Sequence, residues 1–192
     1  DSYDGVTTVK TGGVVRITHA SALGSTNGNT VVEDGGWVEM SGGITVAESF
    51  ALFGDASLSH AGALRSTGGS NVLSGLVTSA SRIKCNSGSL DIIGGIVAGG
   101  LVLGADSGTF IRVAEKPINI GGGTFFAHTG SAIILAVMNN VWGTLEVAGN
   151  YVRTDVANAL SSTGALVVGS GSGANALVDL NGNSQTIGQL RT

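Results

Sequence analysis

A short alternating pattern recurs along the whole chain. An apolar residue, a polar residue and a second apolar residue form a triplet, which is soon followed by glycine. Alternation with a period of two places the apolar side chains on one face of a β-strand and the polar side chain on the other. The pattern therefore predicts many short strands, each with one buried face. The triplets are Val15-Arg16-Ile17, Val38-Glu39-Met40, Ile44-Thr45-Val46, Ile83-Lys84-Cys85, Leu90-Asp91-Ile92, Ile111-Arg112-Val113, Ile118-Asn119-Ile120, Leu145-Glu146-Val147 and Val178-Asp179-Leu180.

Strands this short cannot form a core alone, whereas many strands stacked in register can. Triplets often come in pairs six or seven residues apart, starting at 38/44, 83/90 and 111/118. Their connectors are 41–43, 86–88 and 114–117, and the first two are rich in Gly, Ser and Asn. Gly and Asn tolerate positive φ, so the connectors predict corners between two strands of one coil. The repetition therefore predicts a β-solenoid.

The spacing of the triplets sets the size of a coil. The separations 15–38, 90–111 and 118–145 are 23, 21 and 27 residues. The gap from 38 to 83 would hold one further coil, with strands near 50–53 and 58–64. A coil of about 24 residues predicts about eight coils, which form a rod about 40 Å long because neighbouring strands lie about 4.8 Å apart. We predict a single solenoid segment spanning residues 1–192.

A longer repeat joins the two ends of the chain. Residues Gly12–Thr26 align without gaps on Gly149–Thr163, with eight identities in fifteen positions. The identical pairs include Val15/Val152, Arg16/Arg153 and Leu23/Leu160. The same structural module is therefore predicted near both ends.

The triplets also predict which side chains face the core, because burying an unpaired charge is costly. We expect Glu39, Lys84, Asp91, Arg112, Glu146 and Asp179 to face solvent. The apolar members are expected to point inward: Val38, Met40, Ile44, Val46, Ile83, Cys85, Leu90, Ile92, Ile111, Val113, Ile118, Ile120, Leu145, Val147, Val178 and Leu180.

Composition agrees with an all-β class. Glycine accounts for 33 of 192 residues, and the longest run without Gly or Pro, Asn150–Thr163, is too short for a domain built on long helices. A hydrophobic content of 42% with only 11% charged residues excludes a disordered chain. The glycines lack the strict period of three that collagen requires.

Charge and cysteine usage exclude several classes of site. The net charge of −4 comes with scattered Lys and Arg, so no basic footprint for nucleic acid is present. The one cysteine, Cys85, excludes an internal disulfide and a paired-cysteine zinc site, and we expect it to be a buried, inert thiol. No segment reaches the roughly 20 apolar residues of a membrane span. The chain starts at Asp1 without a signal peptide, so we expect it to derive from a longer one.

Two stretches carry a family resemblance. Residues 158–166 (Asn-Ala-Leu-Ser-Ser-Thr-Gly-Ala-Leu), followed by 178–188 (Val-Asp-Leu-Asn-Gly-Asn-Ser-Gln-Thr-Ile-Gly), closely resemble the autotransporter-associated β-strand repeat. The opening 4–9 and the stretches 62–65, 73–75 and 87–90 look like linking coils of the same family. The resemblance implies a right-handed parallel β-helix within a large secreted surface protein that serves adhesion, aggregation or display.

Candidates for chemistry are sparse. His19, His60 and His128 lie far apart in sequence, and no catalytic arrangement follows from them. Asp91 and Asp106 could align on adjacent coils, but no dense acidic group of the kind that β-helix lyases and glycosidases use is evident. Neither a calcium nonapeptide nor a phosphate loop is present. We therefore predict no catalytic, cofactor or metal site, and no hydrolase, lyase or transferase activity.

Aromatic side chains are the remaining candidates for contact with a ligand. Trp37 precedes Val38 by one residue and so shares the outward face with Glu39, which makes it the best candidate for an exposed contact residue. Packing of Trp37 against a neighbouring loop is the alternative. Trp142, Tyr3 and Tyr151 could also stack on sugar rings. Phe125 and Phe126 place one ring on each face of their strand, so one ring should be core.

These observations favour a structural role. We expect an extracellular or cell-surface segment of a bacterial stalk or fibre, with adhesion or self-association. The alternative is a carbohydrate-binding or carbohydrate-cleaving β-helix of the tailspike or lyase kind. We expect like segments to stack end to end, with the last coil (178–187) meeting the first coil (6–17) of the next unit, because uncapped solenoid ends invite strand pairing. Surface glycans or neighbouring cells are further possible partners.

Overall fold

The computed structural model describes residues 3–53, 62–78, 81–169 and 175–191. The elements in this part of the chain are twenty β-strands, without a helix. Accordingly, it contains no helix that is long and apolar enough to cross a membrane.

The strands stack into three faces of a parallel β-solenoid of about eight turns. Face 1 consists of β1 (Thr7–Val9), β3 (Asn29–Val32), β6 (Ser49–Leu52), β9 (Val77–Thr78), β12 (Ile96–Val97) and β14 (Ile118–Asn119). Face 2 consists of β2 (Val14–Ile17), β4 (Trp37–Ser41), β7 (Leu64–Gly68), β10 (Arg82–Cys85), the first half of β13 (Leu101–Ala114), the first half of β15 (Thr124–Ala136), β16 (Thr144–Ala148), β18 (Ala165–Val168) and β20 (Gln189–Arg191). Face 3 consists of β5 (Thr45–Val46), β8 (Ser70–Leu73), β11 (Ser89–Ile92), the second halves of β13 and β15, β17 (Tyr151–Thr154) and β19 (Leu177–Asp179).

The chain visits the faces in the order 1, 2, 3, and the strands of each face pair in parallel with their neighbours on adjacent coils. Successive strands of face 2 start about 22 residues apart on average, slightly less than the predicted 24. The predicted alignments of Val15 with Val38 and of Leu90 with Ile111 are confirmed as cross-strand pairs. The predicted all-β solenoid is therefore confirmed.

One predicted coil separation is wrong. Ile118 does not align with Leu145, because Leu145 pairs with Phe125 on face 2 whereas Asn119 bridges to Val141 on face 1. The physical reason is the long strand β15, which covers faces 2 and 3 without interruption. The chain then returns to face 1 at an isolated bridge, where no alternating triplet marks the position.

The core follows the alternation of the triplets. Fourteen of the sixteen residues predicted to point inward are buried, among them Met40, Ile83 and Cys85. Val178 is only half-buried, although it packs against the core. Leu180 lines the open end beside the core but is 43% exposed, so it is not buried as the core prediction implied. It lies just beyond β19, which pairs on one side with β17, and no described strand covers its other side.

The residues predicted to face outward are half-buried or exposed, as expected. Several of them form ion pairs along the stack of strands. Lys84 Nζ lies 2.9 Å from Asp106 Oδ1, and an Arg112 guanidinium nitrogen (Nη1) lies 3.6 Å from Asp91 Oδ2. Charges on the outer surface are therefore matched between neighbouring coils.

Buried asparagines hold the corners of successive coils together. Asn140 Oδ1 accepts a hydrogen bond of 2.8 Å from the Ile118 N–H, and Asn140 Nδ2 donates to the backbone oxygen of Ala159 over 2.7 Å. Asn71 Oδ1 likewise accepts from the backbone N–H groups of Gly43 and Ile44. Each amide thereby satisfies backbone groups that the sheet ladders do not pair.

The two copies of the internal repeat occupy different faces. Both begin with a glycine of positive φ, 77° at Gly12 and 65° at Gly149. Both continue into a strand, but β2 lies on face 2 whereas β17 lies on face 3. The repeated sequence therefore specifies a turn, a strand and the loop beyond it, and leaves the choice of face open.

Candidate functional site

Trp37 lies on the outward side of β4 and is half-buried. Its indole Nε1 donates a hydrogen bond of 2.9 Å to Glu39 Oε1, two residues along the same strand. The guanidinium carbon of Arg65, on the next coil, lies 4.3 Å from the centre of the Trp37 ring. This separation is typical of a cation–π contact, so Arg65 occupies one face of the indole.

The carboxylate of Glu39 contacts the other three side chains of this cluster. Arg16, on the preceding coil, donates to Glu39 Oε2 over 2.7 Å, and Arg65 Nη1 lies 3.8 Å from Oε1. The hydrogen bond from Trp37, followed by that from Arg16, lowers the pKa of the Glu39 carboxyl. The cluster Arg16–Trp37–Glu39–Arg65 thus carries one net positive charge across three coils.

The outward position of Trp37 is confirmed, and its role as a contact residue stays a prediction. The predicted alternative of packing against a neighbouring loop is replaced by packing against Arg65. A planar ligand such as a sugar ring would have to displace the Arg65 guanidinium or use the part of the indole left open. The sequence could not indicate Arg65, which is separated from Trp37 by a whole coil.

The other aromatic candidates divide between core and surface. Trp142 is buried, and its ring contacts that of Phe125 edge to face at a centroid distance of 5.4 Å, so it cannot stack on a ligand. Phe125 is core and Phe126 is half-exposed, as predicted. Tyr3 is exposed and hydrogen-bonds with Thr7, whereas the Tyr151 hydroxyl donates to Asp179 over 2.5 Å.

Within the described ranges, the acidic residues other than Glu48 are half-buried or exposed. Asp91 and Asp106 do not align on adjacent coils, because Arg112 is the residue opposite Asp91. Within the described ranges, His, Cys, Asp and Glu side chains nowhere gather in groups of three that could hold a metal ion. His19 is exposed beside Ser21, and His128 lies near Arg82 on another coil, while His60 falls outside the described residues.

Glu48 is a buried carboxyl that the sequence analysis did not identify. It points inward two residues before Phe50, and its Oε1 accepts a hydrogen bond from the Thr30 hydroxyl. Its other oxygen, Oε2, is buried without a hydrogen-bond partner. Burial raises the pKa of this carboxyl. The period of two from Phe50 would have placed residue 48 on the inward side, but no triplet includes it.

The last coil exposes the interior of the solenoid. An open cavity of about 420 Å³ is lined by Leu160, Leu166, Val168, Ala176, Leu177, Val178, Leu180, Gln185, Ile187 and Leu190. Nine of these ten residues are apolar, and Leu190 is 60% exposed. Within the part of the chain that the structure describes, β19 pairs only with β17 and β20 only with β18. An apolar surface beside unpaired strand edges is suited to receiving another β-coil.

The first coil offers a matching edge. Strand β2 pairs on one side with β4, and its outward residues Val14 and Arg16 are exposed. Val6 and Tyr3 add exposed apolar surface at the same end.

No family model, curated protein or solved structure matches this chain.

Proposed function

We propose that this chain is a rigid structural segment of a secreted bacterial cell-surface protein, where it forms part of a stalk or fibre with a role in adhesion or self-association. Parallel strands run the length of the described structure, and a continuous apolar core lies between them. Such an array resists bending because each coil is hydrogen-bonded to the next. The resemblance of residues 158–188 to the autotransporter-associated repeat supports the extracellular location.

The observation that carries this proposal is the open apolar end. Of the residues that line the cavity, Leu160 belongs to the core, and Val178 and Ile187 pack against it. A further coil stacked there would bury these side chains and pair the free edges of β19 and β20. End-to-end association of like segments, in a longer chain or between chains, therefore accounts for the shape of this end.

The carbohydrate-binding or carbohydrate-cleaving alternative has less support. Arg65 covers one face of the only outward-facing tryptophan among the described residues, and Trp142 is core. The carboxylates of Asp91 and Asp106 are engaged with Arg112 and Lys84. A catalytic acid pair across a sugar would need carboxyls that face each other across a cleft.

The experiment is a measurement of assembly. Residues 1–192 are purified and examined over a range of concentrations by light scattering and negative-stain electron microscopy. We expect rods that lengthen with concentration in steps of about 40 Å, the height of one segment. A matched variant, Leu190→Asp, places a charge in the apolar end and should reduce the mean length, whereas Val97→Asp on the side of the rod should not. A monodisperse monomer at high concentration would contradict end-to-end association.

A further inference from the structure

The face that carries the outermost strand is not the same at the two ends of the rod. Among the described strands, none pairs with the outer edge of β19 on face 3 of the last coil or with the outer edge of β2 on face 2 of the first coil. Face 3 of the first coil carries no strand before β5, and residues 18–28 form turns there instead. If two copies met with their faces aligned, β19 would meet this loop region and would remain unpaired along its edge.

The internal repeat indicates a different arrangement. Within the chain, β17 pairs with β19, with Val152 opposite Val178 and Arg153 opposite Asp179. The residues of β2 that align with Val152 and Arg153 are Val15 and Arg16. On its other side β17 is seated on β15, with Ile133 opposite Val152. Strand β2 therefore resembles β17 in sequence, and β17 pairs with the preceding strand of face 3.

Charge complementarity favours seating β2 on β19. With Val15 beside Val178, the next outward position places Arg16 of the second copy opposite Asp179. The outward row would then run Arg153, Asp179, Arg16, Glu39, Arg65, with charges alternating at every step. Within one chain, two neighbours in this row, Arg16 and Glu39, form an ion pair at 2.7 Å.

Apolar residues match in the adjacent outward row. The same register places Val14 of the second copy opposite Leu177, and these two side chains are 40% and 55% exposed in the single chain. Their neighbours within each chain are Trp37 and Tyr151. The contact would join four large side chains into one row and remove exposed apolar surface from both ends.

The aligned arrangement is less favourable. With the faces aligned, β20 of one copy would pair with β2 of the second copy on face 2. If the inward Leu190 lay beside Val15 of the second copy, Arg191 would lie opposite Arg16. Like charges directly opposite each other on neighbouring strands are destabilising.

Resting on the proposed end-to-end association, we propose that the junction is rotated by one face about the rod axis: β19 of one copy pairs in parallel with β2 of a second copy, with Val178 beside Val15 and Asp179 beside Arg16. The proposed occupant of this end is the first coil of a second copy of residues 1–192. Face 2 of the second copy continues face 3 of the first.

Cysteine cross-linking tests the rotation. Residues opposite each other on parallel strands lie about 4.8 Å apart, within the Cα separation that a disulfide accepts. The variant V14C/L177C should therefore form a ladder of disulfide-linked multimers under mild oxidation. The matched variant V14C/Q189C reports the aligned junction and should stay unlinked. The positions within one chain lie at opposite ends of the rod, so an internal disulfide cannot form, and the parent chain with buried Cys85 is the background control.

The outcomes separate the two proposals. A ladder from V14C/Q189C instead of V14C/L177C would overturn the rotation and leave end-to-end association standing, whereas rods without a ladder from either variant would overturn the strand pairing proposed here. Absence of rods would overturn both proposals. Charge reversal is an independent readout: Arg16→Glu should shorten the rods in the rotated junction, where it faces Asp179. Longer rods would indicate the aligned junction, where the new carboxylate would face Arg191.

Discussion

The carboxyl of Glu48 lies inside the core, where its Oε1 accepts a hydrogen bond of 2.7 Å from the hydroxyl of Thr30 on the preceding coil. Thr30 is fully buried, and Glu48 Oε2 has no partner. A carboxyl in this position is more easily accommodated in its neutral form, because one of its oxygens would be buried with a negative charge and without a donor.

This relationship predicts a pH dependence of stability. Since burial raises the pKa of Glu48 in the folded state, the unfolded chain loses this proton first as the pH rises. The contribution of Glu48 to the free energy of unfolding is therefore greatest below its ordinary pKa, and it declines as the pH rises towards the folded-state pKa. Glu48→Gln removes the charge, so it should be more stable than the parent chain near neutral pH, by on the order of 1 kcal/mol.

Urea unfolding at several pH values between 4 and 8, followed by tryptophan fluorescence, checks this prediction. The difference in unfolding free energy between Glu48→Gln and the parent should grow with pH. Glu146→Gln is the matched control, because Glu146 lies on the outward side of β16. A difference that is constant or shrinks with pH would contradict the assignment.

Asn140 should be critical for the stacking of three coils. Replacement by leucine keeps the size of the side chain but leaves the Ile118 N–H and the carbonyls of Val137 and Ala159 without this partner. Unsatisfied buried groups of this kind cost about 1–3 kcal/mol each, so Asn140→Leu should lower the unfolding free energy by at least about 2 kcal/mol. Thermal and urea unfolding measure the change. The exposed Asn119→Leu should change it little, and equal losses in the two variants would rule out the bridging role.

Gly94 should tolerate no side chain. A Cβ at this position would collide with the backbone oxygen of Gly75, which belongs to the neighbouring coil. Backbone cannot yield as a side chain can, so Gly94→Ala should destabilise the fold by about 3 kcal/mol. Gly99→Ala is the control, because nothing lies within 4 Å of a Cβ placed there. The comparison of their melting temperatures decides the point, and similar values would show that the coils separate more easily than the structure indicates.

Cys85 should react slowly in the native protein. The side chain is fully buried among core residues, and burial raises the pKa of the Cys85 thiol. Both effects suppress the thiolate that reacts with labelling reagents. We expect labelling by a thiol-specific chromogenic disulfide to be slow in buffer and fast in denaturant. Fast native labelling would mean that the coil containing β10 opens readily.

The class of structure and most of the core follow from the alternation of apolar and polar residues along the chain. Alternation is a local property, and the cost of burying Lys84, Asp91 or Arg112 settles which side of each strand faces inward. That argument needs no knowledge of neighbouring strands, and so it succeeded for the triplets from Val38 to Val147.

Tertiary structure alone decided which coils are neighbours. The length of a coil varies with its loops, so the spacing of triplets could not show which residue lies opposite Ile118. Because β15 is long, that residue lies in the region of Val141 and not at Leu145. The contact of Arg65 with Trp37 and the burial of Glu48 against Thr30 depend on that stacking. Leu180 obeys the alternation and is nevertheless exposed, because an inward direction buries a side chain only where a further coil covers it.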